Sequence, residues 1–245
     1  MSPRGQMSFG VPPFTQGVKW IAVPTLLLSI LATLERTAPA VAHFLAFQPA
    51  TFWRGYLWTA FTYVFLLPGP MELIFGLLAL WMIGASLESR WGTRRFLIFY
   101  FATGAIGAVA TALVGFVSSR VAAQLYAGNW APIEGLIAAM AVQMPSATFF
   151  LYFFPVQARF MLPISAGITL LYMIMGNWAA YLPQLFALAA GVLLSGGISP
   201  ERYLLRLRVW WIDRKMRRSK LRVVRDDDDT PLGGLGSRGS DKFLH

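Results

Sequence analysis

The chain alternates between long uncharged apolar runs and short segments that hold most of its charges. The uncharged runs cover residues 20–34, 73–87, 96–119, 135–158 and 160–200. A run of about 20 apolar residues is long enough to cross a bilayer as a helix. The last run is about twice that length, and Gly176-Asn177 together with Pro183 provides a turn in its middle. The pattern therefore predicts six membrane-spanning helices, in an all-α, polytopic fold.

The composition supports this interpretation and excludes the alternatives. Of the 245 residues, 56% are apolar and 13% are charged, whereas soluble domains carry about 25% charged residues. A soluble globular protein and a disordered chain are both excluded. Because the chain has no cysteine, it cannot form a disulfide, a metal-thiolate site or a cysteine nucleophile. We expect no cofactor and no metal site.

Most of the net charge of +10 lies directly after the last apolar run. Residues 201–225 hold ten basic and two acidic side chains, interleaved with leucine, valine and tryptophan. This predicts a basic amphipathic juxtamembrane helix at 200–225, lying on anionic lipid head groups. Nucleic-acid binding is the rival explanation of such a block, and the position beside a membrane span favours lipid. Residues 226–245 begin with four aspartates and are expected to be a disordered tail.

The charges also predict how the chain is oriented. An even number of spans places both termini on one side, and the basic tail and the arginine-rich loop 88–95 mark that side as cytosolic. We therefore expect a cytosolic segment at 1–17 and a membrane domain at 18–199, with no cleavable signal peptide. In a bacterium, the membrane would be the plasma (inner) membrane. The aromatic-rich loop 35–70 is expected in the opposite membrane interface, where Trp and Tyr are enriched.

Residues 58–88 resemble the first-loop and second-helix signature of the rhomboid intramembrane proteases. The matching residues are Trp58, Thr62, Phe65, Gly69, Trp81, Gly84 and Glu88. Residues 128–136 resemble the Gly-x-Ser-Gly segment that opens the fourth helix of that family, and residues 184–191 resemble the sixth-helix segment that starts with the catalytic His. The resemblance covers about residues 20–197 and implies a six-helix rhomboid-like bundle. Derlins, which share this fold and also lack the catalytic pair, are a second relative.

The chain departs from the rhomboid pattern at the positions that carry the chemistry. By the resemblance, Trp130 replaces the catalytic Ser, Gln184 replaces the catalytic His, and Gly76 replaces the Asn that helps the oxyanion. The remaining departures are Ala131 for the neighbouring Gly, and Leu67 and Glu72 for two His. A hydroxyl needs an adjacent base to become a nucleophile. The two histidines of the chain, His43 and His245, lie in the first loop and at the last residue, so serine–histidine catalysis in the membrane core is excluded.

With these departures, the chain resembles the non-catalytic members of the superfamily, which typically bind transmembrane helices of client proteins. The resemblance therefore implies a pseudoprotease that binds transmembrane segments of clients, by a route between the second and fifth helices. Two alternatives stay open: an active intramembrane serine protease with rearranged residues, and a structural or lipid-sensing membrane protein whose basic tail reads anionic lipids. Six residues are expected to line a residual cavity or to contact a client: Trp58, Glu72, Gly76, Trp130, Glu134 and Gln184.

Two of these residues lead to specific expectations. Trp130 either plugs the former active-site cavity or is an interfacial tryptophan at a helix start. The Gln184 amide needs a hydrogen-bond partner at depth, and we expect Glu134 to provide it, unless Glu134 extends to the outer water. Small residues at four-residue spacing are expected to let the fourth and sixth helices approach closely; they are Ala131, Gly135, Ala139, Ala187 and Gly191.

Overall fold

A computed structural model of the protein describes residues 13–34, 43–151 and 154–196, and most of these residues are helical. The predicted tail helix at 200–225, the tail at 226–245 and His245 lie outside the described residues. The same holds for most of the predicted cytosolic segment at 1–17.

Among the described residues, six longer helices overlap the apolar runs in which spans were predicted, with shorter helices between them. In chain order the helices are α1 (Gln16–Leu34), α2 (Pro49–Phe52), α3 (Thr59–Thr62), α4 (Pro70–Trp91), α5 (Thr93–Val114), α6 (Ser119–Ala123), α7 (Trp130–Gln143), α8 (Ala158–Met175) and α9 (Leu182–Ser195). Single turns of 3₁₀ helix follow α3 at Tyr63–Phe65 and precede α9 at Trp178–Tyr181. The predicted turn at Gly176-Asn177 is confirmed, because α8 ends at Met175 with Gly176 as its cap.

Four of these segments are long and apolar enough to cross a membrane: Pro70–Trp91, Thr93–Val114, Ala158–Met175 and Trp178–Ser195. The apolar part of α1 is shorter. Helix α7 has 14 residues and is therefore about 21 Å long, against a hydrocarbon core of about 30 Å. The described residues thus contain four helices of membrane length, and crossing by α1 and α7 stays a prediction.

The predicted span at 135–158 differs from the structure. Helix α7 begins five residues earlier, at Trp130, and ends at Gln143. Met144 has φ −134° and ψ 54°, because the following Pro145 disfavours helical backbone at the residue before it. Two antiparallel strands follow, β1 (Thr148–Leu151) and β2 (Phe154–Gln157), with Thr148 opposite Gln157. The all-α prediction holds for the bundle and misses this hairpin.

Helix α4 is continuous but changes its winding in the middle. It starts at Pro70, where proline is tolerated because the first turn has no intrahelical N–H bond. Residues Leu80–Gly84 form a single π-helical turn, a local widening that often marks functional sites. At its C-terminal end, Gly92 adopts φ +79° and reverses the chain into α5.

Hydrogen bonds link the described part of the first loop, residues 43–69, to the segments that precede α7 and α9. Phe47 and Tyr126 exchange two backbone hydrogen bonds of 2.9 and 2.7 Å. The Tyr126 hydroxyl donates to the Ala179 carbonyl at 2.9 Å, and burial raises the pKa of this hydroxyl, so it stays a neutral donor. The Gly128 N–H donates to the Tyr63 carbonyl at 3.0 Å. This loop therefore fixes the segments that lead into both helices.

Candidate functional site

Helices α4, α7 and α9 run in the same direction, so that their first turns lie at one end of the bundle. At that end, the Asn129 amide before α7 donates to the Gly76 carbonyl of α4 at 3.1 Å. At the opposite end, Trp91 Nε1 donates to Gln143 Oε1 at 2.8 Å, and Gln143 Nε2 donates to the Ser195 carbonyl at 3.3 Å. Contacts at both ends of α4 and α7 establish that the two helices are parallel.

Glycines bring α7 and α9 into backbone contact. A Cβ added to Gly191 would lie 2.5 Å from the Gly135 carbonyl oxygen, and one added to Gly107 of α5 would lie 2.5 Å from the Pro183 carbonyl oxygen. No side chain fits at such distances, so the close approach predicted from the small residues is confirmed. The contact also relates the two positions that the resemblance singled out. Trp130 precedes Gly135 by five residues and Gln184 precedes Gly191 by seven, which places them about 7.5 and 10.5 Å from the contact, at the same end.

Trp130 is the first residue of α7 and is held against α4. Its side chain is half-buried and packs on the apolar core, beside the Glu72 carboxylate in the first turn of α4. Gly128, at φ +119°, lies beside both groups: a Cβ there would be 3.6 Å from Glu72 Oε1 and 3.7 Å from Trp130 Cδ1.

Asn129 occupies the space that a side chain at position 76 would need. A Cβ on Gly76 would lie 2.7 Å from Asn129 Oδ1 and 2.6 Å from Leu67 Cδ2. Asparagine commonly caps a helix with its own side chain, but Asn129 makes no such bond and donates across to α4 instead. Its Oδ1 is buried without a hydrogen-bond partner in the described structure. Sequence reasoning missed Asn129, although an asparagine directly before a helix is a recognisable signal.

Glu134 has a different partner from the one expected. The Ser165 hydroxyl of α8 donates to its Oε2, and the Thr169 hydroxyl donates to its Oε1 at 3.3 Å. The predicted Glu134–Gln184 bond is therefore wrong, and Glu134 is buried rather than extended to water. Ser165 and Thr169 are four residues apart, so they share one face of α8, a pattern that could have indicated a polar partner on the facing helix.

The remaining candidates are Gln184, Trp58 and the histidine of the described residues. Gln184 is half-buried in the first turn of α9. Trp58 lies in the first loop, where its indole N–H donates to the Phe44 carbonyl at 3.0 Å. His43 is exposed at the start of the same loop, so no imidazole reaches the bundle interior within the described residues. No described cluster of three His, Asp or Glu side chains could hold a metal ion.

The assembled group consists of Glu72 and Gly76 on α4, Asn129 and Trp130 at the start of α7, and Glu134 one turn further along. Chemically, it offers two carboxyl groups, one amide oxygen and an indole donor. Neither an amide nor an indole accepts a proton from a hydroxyl at neutral pH. Trp130 and Gln184, which the resemblance matches to the catalytic Ser and His, therefore supply neither a nucleophile nor a base.

Comparison with known proteins shows which family has this architecture. The Rhomboid domain family matches residues 54–201, more than half of the chain. Over 105 residues the chain is 35% identical to Rhomboid protease GluP of Bacillus subtilis (strain 168). That match covers 42% of this chain and 20% of GluP, so it spans only a fifth of that relative's length. With its apolar helices and its match to the Rhomboid domain, the chain is an integral membrane protein that belongs to the rhomboid family.

Proposed function

We propose that this protein lacks protease activity and binds transmembrane segments of client proteins. The observation that carries the proposal is the position of Trp130, whose indole packs on the core beside Glu72 where the resemblance places the catalytic Ser. A tryptophan buries about 200 Å² of aromatic surface. Trp130 thus fills the place at which a rhomboid protease attacks a peptide bond, and the role left to the bundle is recognition.

The surfaces of α4 and α8 support recognition of a helix. Both helices carry large apolar side chains that the protein itself leaves exposed, including Ile74 at 58% and Ile168 at 49%. Helix α8 packs mainly on α7. We place the client route between α4 and α8, which correspond to the second and fifth helices of the resemblance.

The wider arrangement belongs to the same proposal. Both termini face the cytosol, the membrane domain covers 18–199, and the basic segment 200–225 contacts anionic head groups. With the protein held in phosphatidylcholine nanodiscs, deleting residues 200–245 should weaken its binding to added vesicles that contain phosphatidylserine. Unchanged binding would contradict the hypothesis that the tail senses lipids, and the hypothesis of client recognition would be unaffected.

Loss of catalysis is tested with purified protein in proteoliposomes. We expect no cleavage of a transmembrane substrate and no labelling by a fluorophosphonate probe, with a proteolytically active rhomboid protein as the positive control. Binding is tested in the same vesicles by Förster resonance energy transfer from a labelled transmembrane peptide to a dye on a Ser89→Cys variant. The chain has no cysteine, so this dye occupies a single site. Saturable transfer at a fixed lipid-to-protein ratio supports client binding, and transfer no greater than random crowding contradicts it.

One contact supports the alternative that the chain is an active protease, and this alternative has a test of its own. The Ser165 hydroxyl donates to the Glu134 carboxylate, and a carboxylate can serve as a base for a hydroxyl nucleophile. If the chain cleaves a substrate through this pair, Ser165→Ala abolishes both cleavage and labelling. Wild-type protein that shows neither activity removes the alternative.

A further inference from the structure

The β-hairpin between α7 and α8 is attached to the bundle at its base. The Ala158 N–H donates to the Ala147 carbonyl at 2.8 Å, and the Arg159 N–H donates to the Pro145 carbonyl at 3.3 Å. Ala147 and Val156 pack on the apolar core, and β2 contacts α8, which follows it. These contacts fix the hairpin at the end of the bundle where α7 ends and α8 begins.

The sequence of the hairpin provides no polar face. Residues 149–156 read Phe-Phe-Leu-Tyr-Phe-Phe-Pro-Val, with five aromatic residues and no charge. Consecutive positions of a strand lie on opposite faces, so the neighbours Phe149 and Phe150 give both faces of the sheet an apolar residue. A sheet with one face in water normally alternates polar and apolar residues, and an isolated two-stranded hairpin is at best marginally stable in water. Water is therefore an unfavourable environment for this hairpin.

The edges of the hairpin exclude the opposite environment, the hydrocarbon core of the bilayer. Among the described strands, β1 and β2 pair with each other alone, so each has an outer edge of N–H and C=O groups that no further strand satisfies. An open edge of this kind is not tolerated in hydrocarbon, where no water can bind to it. The membrane interface offers water to the edges and apolar surroundings to the rings, and aromatic residues are enriched there.

The charges at this end of the bundle favour an anionic leaflet. Arg159 is exposed in the first turn of α8, with its guanidinium 4.7 Å from the centre of the exposed Phe160 ring. The arginines at 90, 94 and 95 lie where α4 ends and α5 begins, at the same end of the bundle. Residues 135–200 contain no acidic side chain. Arginine suits a lipid phosphate, because its planar guanidinium can form two parallel hydrogen bonds with phosphate oxygens.

We propose that the hairpin lies in the membrane interface of the leaflet at this end of the bundle, and that Arg159 binds the phosphate of an anionic lipid there. Helix α7 has 14 residues and is shorter than the hydrocarbon core is thick. The hairpin thus anchors the end of α7 in this leaflet. This inference does not depend on the proposed client binding.

The depth of the hairpin is measured with the whole chain in vesicles of phosphatidylcholine and phosphatidylserine. Phe150→Cys and Leu151→Cys, at positions on opposite faces, each carry one nitrobenzoxadiazole dye, because the chain has no cysteine of its own. We expect a nitroxide near the lipid head group to quench both dyes more strongly than a nitroxide near the end of the acyl chain, and aqueous iodide to quench them weakly. Ile168→Cys, at an exposed position in the middle of α8, should show the opposite order of the two nitroxides.

The role of Arg159 is measured with a dye on Ser146→Cys, an exposed residue at the base of the hairpin. The same nitroxide is placed on phosphatidylserine or on phosphatidylcholine. One basic residue near the surface changes the affinity for anionic lipid by about fivefold, so half-quenching should need about five times less of the labelled phosphatidylserine. Arg159→Gln should remove this difference. Arg120→Gln, which changes an exposed arginine beyond the other end of α5, should keep it.

The other outcomes contradict stated parts of the proposal. Strong quenching by iodide alone would place the hairpin in water, and stronger quenching from the end of the acyl chain would place it in hydrocarbon. Protection from every quencher would show that protein covers the hairpin. Each of these three results overturns the interfacial position. Equal half-quenching by the two lipids, or a preference that persists in Arg159→Gln, overturns the role of Arg159.

Discussion

Glu88 shows how much a single buried side chain contributes to the assembly of this bundle. Its carboxylate is 4% exposed and accepts from the backbone N–H groups of Gly17 and Val18 at 2.7 and 3.0 Å. The Thr15 and Thr93 hydroxyls donate to the same carboxylate. A negative charge at a helix N-terminus satisfies free N–H groups and complements the helix dipole. Glu88 of α4 therefore anchors the start of α1 and the start of α5.

Replacing Glu88 with alanine should be strongly destabilising. Four donors lose their acceptor, and leaving buried donors unpaired costs about 1–3 kcal/mol. We expect the free energy of unfolding of Glu88→Ala in detergent micelles to fall by about 2–3 kcal/mol. Ser89→Ala, which changes an exposed neighbour, should change it by less than about 0.5 kcal/mol. Equal effects of the two substitutions would contradict the anchoring role of Glu88.

Two helical glycines provide a matched pair. A Cβ on Gly191 would meet the backbone of Gly135 at 2.5 Å, whereas a Cβ on Gly167 of α8 meets nothing within 4 Å. Gly191→Ala should therefore lower the free energy of unfolding by about 1–3 kcal/mol, because backbone atoms cannot move aside. Gly167→Ala should raise it by about 0.5–1 kcal/mol through reduced chain entropy. Thermal unfolding of both variants in one detergent checks the opposite signs.

At the scale of helices, hydropathy predicted where the elements lie, but it predicted one continuous helix where the structure has a shorter helix and a β-hairpin. Uncharged runs located α4, α5, α8 and α9, because a lipid-facing helix must be apolar along its length. The run at 135–158 is equally uncharged, yet Pro145 ends α7 and a hairpin follows. Hydropathy does not distinguish a helix from a strand in a short apolar run. Pro145 was the residue that signalled the end of the helix, and the uniformly apolar composition of the run does not reveal it.

The attachment of α8 to α7 depends on matched polar groups. Ser165→Ala combined with Thr169→Val leaves the Glu134 carboxyl group buried without donors. This pair of changes should lower the free energy of unfolding by about 1–3 kcal/mol. Adding Glu134→Met should recover a large part of the loss, because replacing both sides of a buried hydrogen bond with apolar groups is nearly neutral. A denaturant series on the double and triple variants measures this. A triple variant less stable than the double would contradict the contact.

For the molecule as a whole, the sequence marked candidate positions but did not predict their contacts. Resemblance marked Trp130, Gln184 and Gly76, and the structure places Gly76 and Trp130 within one connected group. The contact residues Asn129, Ser165 and Thr169 were not predicted. The partner of Glu134 was expected on α9, whereas its partners lie on α8. Hydrogen bonds between residues separated by 30 or more positions, such as Ser165 with Glu134, depend on how helices pack, and no local pattern specifies that.

The contacts between helix ends also predict how the helices of residues 13–196 that the structure describes cross the membrane. Glu88 holds the start of α1 at the C-terminal end of α4, while Ser29, later in α1, accepts from the Leu67 N–H just before α4 at 2.9 Å. Helix α1 therefore extends along α4 in the opposite direction. The Trp91–Gln143 bond likewise places the ends of α4 and α7 together. If α4 crosses the bilayer, we expect α1 and α7 to cross it as well, although each is short, and the described residues would then cross six times.

Single cysteines test this arrangement directly, because the chain has none of its own. We expect Ser89→Cys, Ser146→Cys and Phe14→Cys to react with an impermeant maleimide from one side of the membrane. Val117→Cys, at a residue that is 92% exposed, should react from the other side, since α5 separates it from Ser89. The arginines at 90, 94 and 95 predict that the side of Ser89 is cytosolic. Reaction of Ser146→Cys from the side of Val117 would establish that α7 enters the membrane without crossing it, and the count of six spans would then be wrong.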